Sequence, residues 1–369
     1  MINVLFLINH AGKAGTETYV RSLARKLPAE EVSASLCYNE SGMLVGWIKE
    51  MGLRTFKLKM RGPFDIIAVI KLARICREND IDIIHAQYLR ENYIAMISKL
   101  INPRVKVFFT SHFIMRNPAP IRFFNRLLSG LQAKVISVSE IGRKPLISNG
   151  YDPRKIEAIF NGVDLTTWTG RSASTLRSEF GLPDDRTVLL CSSRFAHDKG
   201  HEYLLRAIAR LKVKAEGRFA LVLSSDGPLL EDVKRQAKDL GLEEEVIFIG
   251  PRKDMKNVYD GADIYINSSE HENLSFAIIE ALAEGLPVIA TNMGGNPDII
   301  NDETGCGLLV EYGNAGELAD AVLRLMDDSG LRDRLIERGA AAVRDKFNLD
   351  KMVGRTYNLY VKAVGGDKS

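Results

Sequence analysis

The stretch from Asn267 to Thr291, NSSEHENLSFAIIEALAEGLPVIAT, sets two carboxylates, Glu272 and Glu280, eight positions apart around an apolar run. At 3.6 residues per turn, eight positions are just over two turns, so the spacing predicts both carboxylates near one face of a helix, one at its mouth and one inside. Phe276, Ala277, Ile278 and Ile279 lie between them, Gly285 with Pro287 beyond it is a helix stop, and Val288 to Ala290 reads as a buried strand. An unpaired charge inside a buried helix is costly, so a polar partner is expected at Glu280. Taken alone, such a pair would be a solvated cap and an ordinary surface residue.

Its surroundings change that reading. Upstream, SSRFAHDKGHEYLL (192–205) puts Arg194 and Lys199 just after an apolar strand, Val188 to Cys191, and just before a helix. A strand, a short loop with two cations and a helix N-terminus make an anion site, from a guanidinium fork, an ammonium point charge and backbone N–H groups. A diphosphate is the anion that fits.

Outward from these segments the chain alternates. Apolar strands near 2–8, 32–38, 81–84, 105–110 and 134–138 alternate with helical stretches near 16–27, 64–79, 90–100 and 120–130. After a polar stretch from Thr166 to Thr175 the pattern restarts, with strands near 187–191, 219–224, 246–249, 263–267 and 287–290. Alternation of this kind predicts an α/β protein with doubly wound parallel sheets, here two Rossmann-like domains over 1–165 and 166–349. Ligands of such sheets bind outside the carboxyl ends of the strands, so two facing domains would enclose the reactants in a cleft.

A length of 369 residues and 46% hydrophobic content suit two or three packed domains of a soluble enzyme. The opening INVLFLI reads as a first strand, since it lacks the basic start and cleavage site of a signal peptide, and no apolar run approaches the ~18 residues of a membrane span. Cys37, Cys76, Cys191 and Cys306 are scattered with no C-x-x-C, which suggests neither a disulfide framework nor a zinc cluster and fits a cytoplasmic protein.

The net charge of +3 conceals an asymmetry: residues 1–165 hold 24 Lys+Arg against 14 Asp+Glu, and residues 166–369 hold 26 against 33. Basic residues gather in RTFKLKMR (Arg54, Lys57, Lys59, Arg61) and, with aromatics, in Arg116, Arg122, Phe123, Phe124 and Arg126. Amphipathic basic segments of this composition can rest on an anionic lipid surface, which would make the protein peripheral at the inner face of the cell membrane.

Other motifs are absent. GKAG lacks the G-x-G-x-x-G spacing, and there is no G-x-x-x-x-G-K-[ST]. His197 and His201 stand four apart without the glutamate of H-E-x-x-H, and Gly200 between them argues against a continuous helix and a metal site. No RNA-recognition signature accompanies the basic half, so nucleic acid is not an expected partner.

Across essentially its whole length the chain resembles family 4 of the GT-B glycosyltransferases, retaining enzymes that use nucleotide sugars. The resemblance rests on the loop GKAGTE (12–17), His85 at a strand end, TSH (110–112), SVSE (137–140) and NGVD (161–164). It continues through Arg194 and Lys199, SDGP (225–228), the segment with Glu272 and Glu280, GLPVIAT (285–291) and GGNPDII (294–300). Two domains facing across a deep cleft are implied, with a last helix, about 350–369, crossing back to the first domain. YNLYVKAV (357–364) is the candidate for that crossing.

The resemblance also implies roles. Arg194 and Lys199 would meet the charge that grows on the departing diphosphate, with backbone amides of Asn273, Leu274 and Ser275 and of Gly15 and Thr16 as neutral donors, replacing a divalent metal. Glu280 is assigned to the ribose hydroxyls, Glu272 to the sugar hydroxyls near the reacting carbon, His112 to a place beside the transferred sugar, and Arg252 or Lys253 to the base. No cofactor is implied, because the nucleotide sugar, with uridine favoured over guanosine, is a substrate. Expected partners are that donor and a lipid-linked or saccharide acceptor in surface polysaccharide or glycolipid synthesis. Asn273 and Ser275 stand where many relatives have glycine or proline, and Ala14 where glycine is usual. Alternatives are transfer to a small soluble acceptor, a nucleotide-sugar 2-epimerase of the same architecture, and a silent sugar-nucleotide-binding protein.

Overall fold

A computed structural model describes residues 1–12, 15–113, 116–168 and 170–365. Ala14 of the first loop and the last four positions of the 350–369 segment lie outside the described residues. The chain divides into two units, Met1–Asn161 together with the segment from Leu349 on, and Gly162–Asn348.

In the first unit the strands are Ile2–His10 (β1), Val32–Glu40 (β2), Arg54–Lys57 (β3), Ile83–Ala86 (β4), Lys106–Ser111 (β5), Gln132–Ser137 (β6) and Ile156–Ala158 (β7). Its helices are Gly15–Lys26 (α1), Met43–Glu50 (α2), Ile66–Glu78 (α3), Leu89–Ile101 (α4), Ala119–Leu128 (α5) and Arg143–Ser148 (α6). The strands form a sheet in the order β3-β2-β1-β4-β5-β6-β7, every pairing parallel. Val4 lies between Ala34 and Ile83, so the strand order reverses at the β1/β4 edge. Leu5, Leu7, Val69, Leu72 and Ile94 are among its core residues.

In the second unit a short helix, Leu176–Glu179 (α7), precedes the strands Thr187–Cys191 (β8), Phe219–Leu223 (β9), Val246–Phe248 (β10), Ile264–Asn267 (β11), Val288–Thr291 (β12) and Gly307–Val310 (β13). They alternate with His201–Ala215 (α8), Leu230–Asp239 (α9), Met255–Asp260 (α10), Phe276–Ala283 (α11), Asn296–Ile299 (α12), Ala315–Asp327 (α13) and Ser329–Asp345 (α14). The order is β10-β9-β8-β11-β12-β13, again parallel, and it reverses at β8/β11, where Leu189 pairs with Ile264. Strands buried on both faces explain the unbroken apolar runs TVLLC and FALVL.

The last helix, Leu349–Gly365 (α15), packs on α1 and β1 of the first unit. It therefore carries the crossing expected of 357–364. Arg54 to Lys57 of the basic segment RTFKLKMR is edge strand β3, and Leu58 and Met60 beyond it are buried. Charge on an edge strand discourages pairing with a second sheet. The helix expected over 64–79 starts at Ile66, with the Asp65 side chain accepting from the Ala68 N–H as its cap and Phe64 outside it.

Candidate functional site

Three loops meet above the β8/β11 reversal of the second unit. The first, after β8, carries Arg194 and Lys199 and ends at Gly200, whose φ of +65° turns the chain into α8. A Cβ on Gly200 would stand 2.1 Å from the Ser268 carbonyl oxygen, so only glycine lets the β8 loop approach the β11 loop this closely. The contact is reinforced by Ser268 Oγ donating to Lys199 O at 2.8 Å and by the Glu270 N–H donating to Asp198 O at 2.9 Å. The third loop, after β12, brings Gly294 and Gly295 under the turn at Glu272. The Gly295 N–H donates to Glu272 O at 2.9 Å, and a Cβ on Gly295 would lie 1.5 Å from Asn273 O.

The interlock fixes the Lys199–Glu272 ion pair, Nζ to Oε1 at 2.9 Å, with both side chains largely buried. Glu272 Oε1 also accepts from Ser269 Oγ at 2.9 Å and Asn267 Nδ2 at 3.5 Å, while Oε2 takes no protein hydrogen bond among the described residues. One oxygen is thus anchored and the other is open to a ligand hydroxyl. Burial works to lower the Lys199 pKa, but the carboxylates of Glu272 and Asp198 outweigh it and raise it, so the ammonium stays charged. Arg194, on the same loop, is exposed, and no described residue pairs with its guanidinium.

Glu272 precedes α11 by four positions, so the two carboxylates do not share a helix face as the eight-residue spacing suggested. Ser275 is the N-cap of α11, without a side-chain cap bond, and its Oγ accepts from Asn267 Nδ2 at 3.5 Å. Asn273 and Leu274 complete the turn. Glu280 lies within α11, half-buried, and the polar partner expected for it is the Tyr259 hydroxyl, which donates to Oε2 at 3.3 Å. Burial pushes the Glu280 pKa up to about 7, against the lowering effect of that bond. Tyr259 is positioned by Ser192 Oγ at 3.1 Å and by the Trp168 ring at 5.4 Å.

Among the described residues, Arg252 forms no hydrogen bond with this cluster. Its guanidinium is held by both oxygens of Glu179 and both of Asp254, so its donors are largely committed within the protein. Lys253 is exposed. His197 is exposed and His201 is buried, stacked on Phe195 at 4.5 Å, so the two do not form a metal pair.

In the first unit, Gly15 and Thr16 open α1 after β1, and His112 follows β5. Gln87 Nε2 donates to His85 O at 3.0 Å, which turns its Oε1 to accept from His112 Nε2 at 2.9 Å. That contact puts the His112 proton on Nε2 and leaves Nδ1 as an acceptor. Burial pushes the His112 pKa down to about 3, so the ring is neutral near pH ~7. It borders a cavity of ≈ 80 Å³ lined also by Gln87, Tyr88, Phe113, Asn117 and Asn149, with the Tyr88 and Phe113 rings stacked at 6.0 Å. Sequence reasoning missed Gln87 and Tyr88, although they directly follow β4, where a ligand site on such a sheet is expected. His85 is no site residue. It is fully buried and bonded to Tyr360 Oη at 2.5 Å and Thr110 Oγ1 at 2.7 Å.

Comparison with known proteins bears on the family and the fold. Residues 14–167 match Glycosyltransferase Family 4, and residues 172–342 match Glycosyl transferases group 1. The chain is similar to N-acetyl-alpha-D-glucosaminyl L-malate synthase of Bacillus anthracis, 24% identical over 88% of this chain and 86% of that one. It is also similar to an Escherichia coli UDP-Gal:alpha-D-GlcNAc-diphosphoundecaprenol alpha-1,3-galactosyltransferase, 25% identical over 92% and 91%. In fold it is similar to Anabaena HepE, solved in complex with UDP, with a TM-score of 0.85 at 20% identity over 97% and 99% of the two chains. The chain belongs to family 4 of the GT-B glycosyltransferases.

Proposed function

We propose that this chain moves a sugar from a UDP-sugar to an acceptor hydroxyl with retention of anomeric configuration, without a metal ion, at the cytoplasmic face of a membrane where the acceptor is lipid-linked. The observation that carries the reading is the Lys199–Glu272 pair at 2.9 Å above the β8/β11 reversal, with Arg194 open on the same loop. Departure of the nucleoside diphosphate leaves growing negative charge on its outer phosphate, and fixed cations there lower the barrier by roughly 3 kcal/mol for each donor that mutation removes. Lys199 Nζ donates to Glu272 Oε1 at 2.9 Å and, over longer distances, to His271 O at 3.4 Å, with Asp198 Oδ2 also at 3.4 Å, so it meets the diphosphate by exchanging the long contacts and keeping the short one.

Glu272 Oε2 then accepts from a hydroxyl of the transferred sugar, and Glu280 from the ribose. Asn273, Leu274 and Ser275 line the turn beside the sugar. His112, Gly15 and Thr16 are assigned to the same donor from the first unit. As a neutral ring, His112 accepts or donates a hydrogen bond and does not carry the reaction's proton. Arg252 reaches the base only by giving up one of its carboxylates. UDP is supported by the similarity to HepE and to the galactosyltransferase, and a lipid-linked acceptor by the latter's diphosphoundecaprenol substrate. The similarity to a malate glycosylating enzyme keeps a small soluble acceptor as the second reading.

The test is thermal shift and isothermal titration of the purified chain against UDP-, GDP- and ADP-sugars, each with and without chelator, followed by turnover of Lys199→Ala with the donor so identified. A ligand that binds only the folded state raises its apparent stability, so donors can be ranked before any acceptor is known. Chelator-insensitive binding of one UDP-sugar is expected, with turnover of Lys199→Ala down by about 10²–10³. Binding that requires a divalent ion, or near-normal turnover of the variant, overturns the metal-free mechanism.

A further inference from the structure

Helix α5 is built inside out. Its one fully buried residue is polar: Asn125 Nδ2 donates to Asn149 O at 2.9 Å, and Asn125 Oδ1 accepts from the Tyr93 hydroxyl at 2.7 Å. Leu128 packs against the core, but two of the helix's apolar side chains face outward, with Phe123 64% and Leu127 65% exposed. Helix α3 shows the same anomaly at its start. Ala68, Val69 and Leu72 serve the core, yet Ile66, Ile67 and Ile70 are each more than half exposed. The solvent face of a surface helix is expected to be polar, so large apolar side chains exposed there call for a covering partner. Phe64 joins the two helices, its ring 5.3 Å from that of Phe124 on α5 and 5.3 Å from that of Tyr93 on α4. A contiguous exposed apolar patch of this kind marks an interaction surface.

The charge around the patch selects the partner. From Asn92 to Ser139 the sequence holds seven Lys and Arg and no Asp or Glu, and Arg116, Arg122 and Arg126 lie on or beside α5. On α3, Lys71 follows the exposed isoleucines, and Arg74 beyond it is paired with Glu78 at 2.6 Å. Apolar rings and branched chains ringed by cations, with no compensating acid on α5, fit a surface that offers hydrocarbon beneath phosphate.

We propose that α5 and the start of α3 form one membrane-docking face, with Phe123, Leu127, Ile67 and Ile70 entering the acyl boundary of an anionic bilayer and Arg116, Arg122 and Arg126 meeting its phosphates. Asn149, which holds Asn125 of α5, also lines the cavity beside His112, and its Oδ1 accepts from the Asn117 N–H at 2.8 Å. Docking therefore places that cavity close to the lipid. The docking face does not rest on the transferase reading, whereas its use, presenting a lipid-linked acceptor, does.

Co-sedimentation of the full chain with vesicles tests the face, using phosphatidylcholine alone and phosphatidylcholine with phosphatidylglycerol in equal parts. Binding is expected only to the anionic vesicles and is expected to weaken with salt. Phe123→Ser combined with Leu127→Ser should lower partitioning at least tenfold, and Arg122→Gln or Arg126→Gln about fivefold each. Ile67→Ser with Ile70→Ser is the independent check on α3. Circular dichroism and the nucleotide thermal shift of the same samples show whether each variant is folded and whether donor binding persists, which separates failure of docking from failure of the transferase reading. No binding to anionic vesicles at low salt, binding unaffected by folded variants, or a concentration-dependent dimer that the same substitutions dissolve, overturns the proposal.

Discussion

Glu280 is the site carboxylate whose charge changes near neutral pH. Its pKa is pushed up to about 7 by burial, so below that value the group is largely protonated in the empty site. Ribose hydroxyls donate better to a carboxylate than to a carboxylic acid, by roughly 1 kcal/mol. Donor affinity measured by titration calorimetry is therefore expected to rise about fivefold as pH increases through ~7, and Glu280→Gln should flatten that rise. Apo stability runs the other way. A carboxyl whose folded pKa exceeds its unfolded value of 4.5 contributes stability that is complete below 4.5 and lost as pH rises through about 7. A donor affinity independent of pH across this range would reject the ribose assignment. Residue types were legible in the sequence here, since a polar partner for Glu280 was demanded by its apolar neighbours and Tyr259 supplies it. The identity of that partner was not legible, because Tyr259 is 21 positions away on α10. Nor was the pairing of Lys199 with Glu272, which are separated by 73 positions.

At the scale of elements, the site depends on loops held together by missing side chains. Gly295 has an ordinary φ of −91°, so replacing it by alanine adds no backbone strain. The new Cβ would still fall 1.5 Å from Asn273 O, and the turn carrying Glu272 must move. Gly295→Ala is expected to lose donor affinity and about 1–3 kcal/mol of stability. Gly354→Ala, on α15 with nothing near the added Cβ, should gain about 0.5–1 kcal/mol. Equal stability and equal donor affinity for Gly295→Ala and the parent would show that the turn is not clamped. The central strands were readable because β8, β9, β11 and β12 are apolar and buried on both faces. The edge strands β3, β7 and β13 were missed for the converse reason. They run three or four residues, and RTFK, IEA and GLLV show no continuous buried pattern. Strand pairing supplies what their own periodicity lacks. Likewise, the apolar residues of α5 were visible in the sequence, but that its buried residue is Asn125 required the fold.

At the scale of the whole molecule, the first unit is discontinuous: the chain leaves it after Asn161 and returns at Leu349. What the returning helix contributes is partly polar. Tyr360 is fully buried on α15 and its hydroxyl meets His85 Nδ1 at 2.5 Å, while His85 Nε2 meets Thr110 Oγ1 at 2.7 Å. Burial pushes the His85 pKa down to about 3, so the ring is neutral and each nitrogen needs one partner. Tyr360→Phe keeps nearly all the buried ring surface and removes only the hydroxyl, which leaves Nδ1 unpaired in the core. The expected loss is about 1–3 kcal/mol, read as a lower urea midpoint at an unchanged slope. Val361 is the matched control, one position along α15 and 40% exposed, where Val361→Ala should stay within about 0.5 kcal/mol. If Tyr360→Phe behaved like the control, the buried hydroxyl would contribute nothing to holding α15, which would rest on apolar packing and on surface contacts such as Lys26–Asp350 and Arg355–Glu157. The His85 ring would then be indifferent to the helix that returns to cover it.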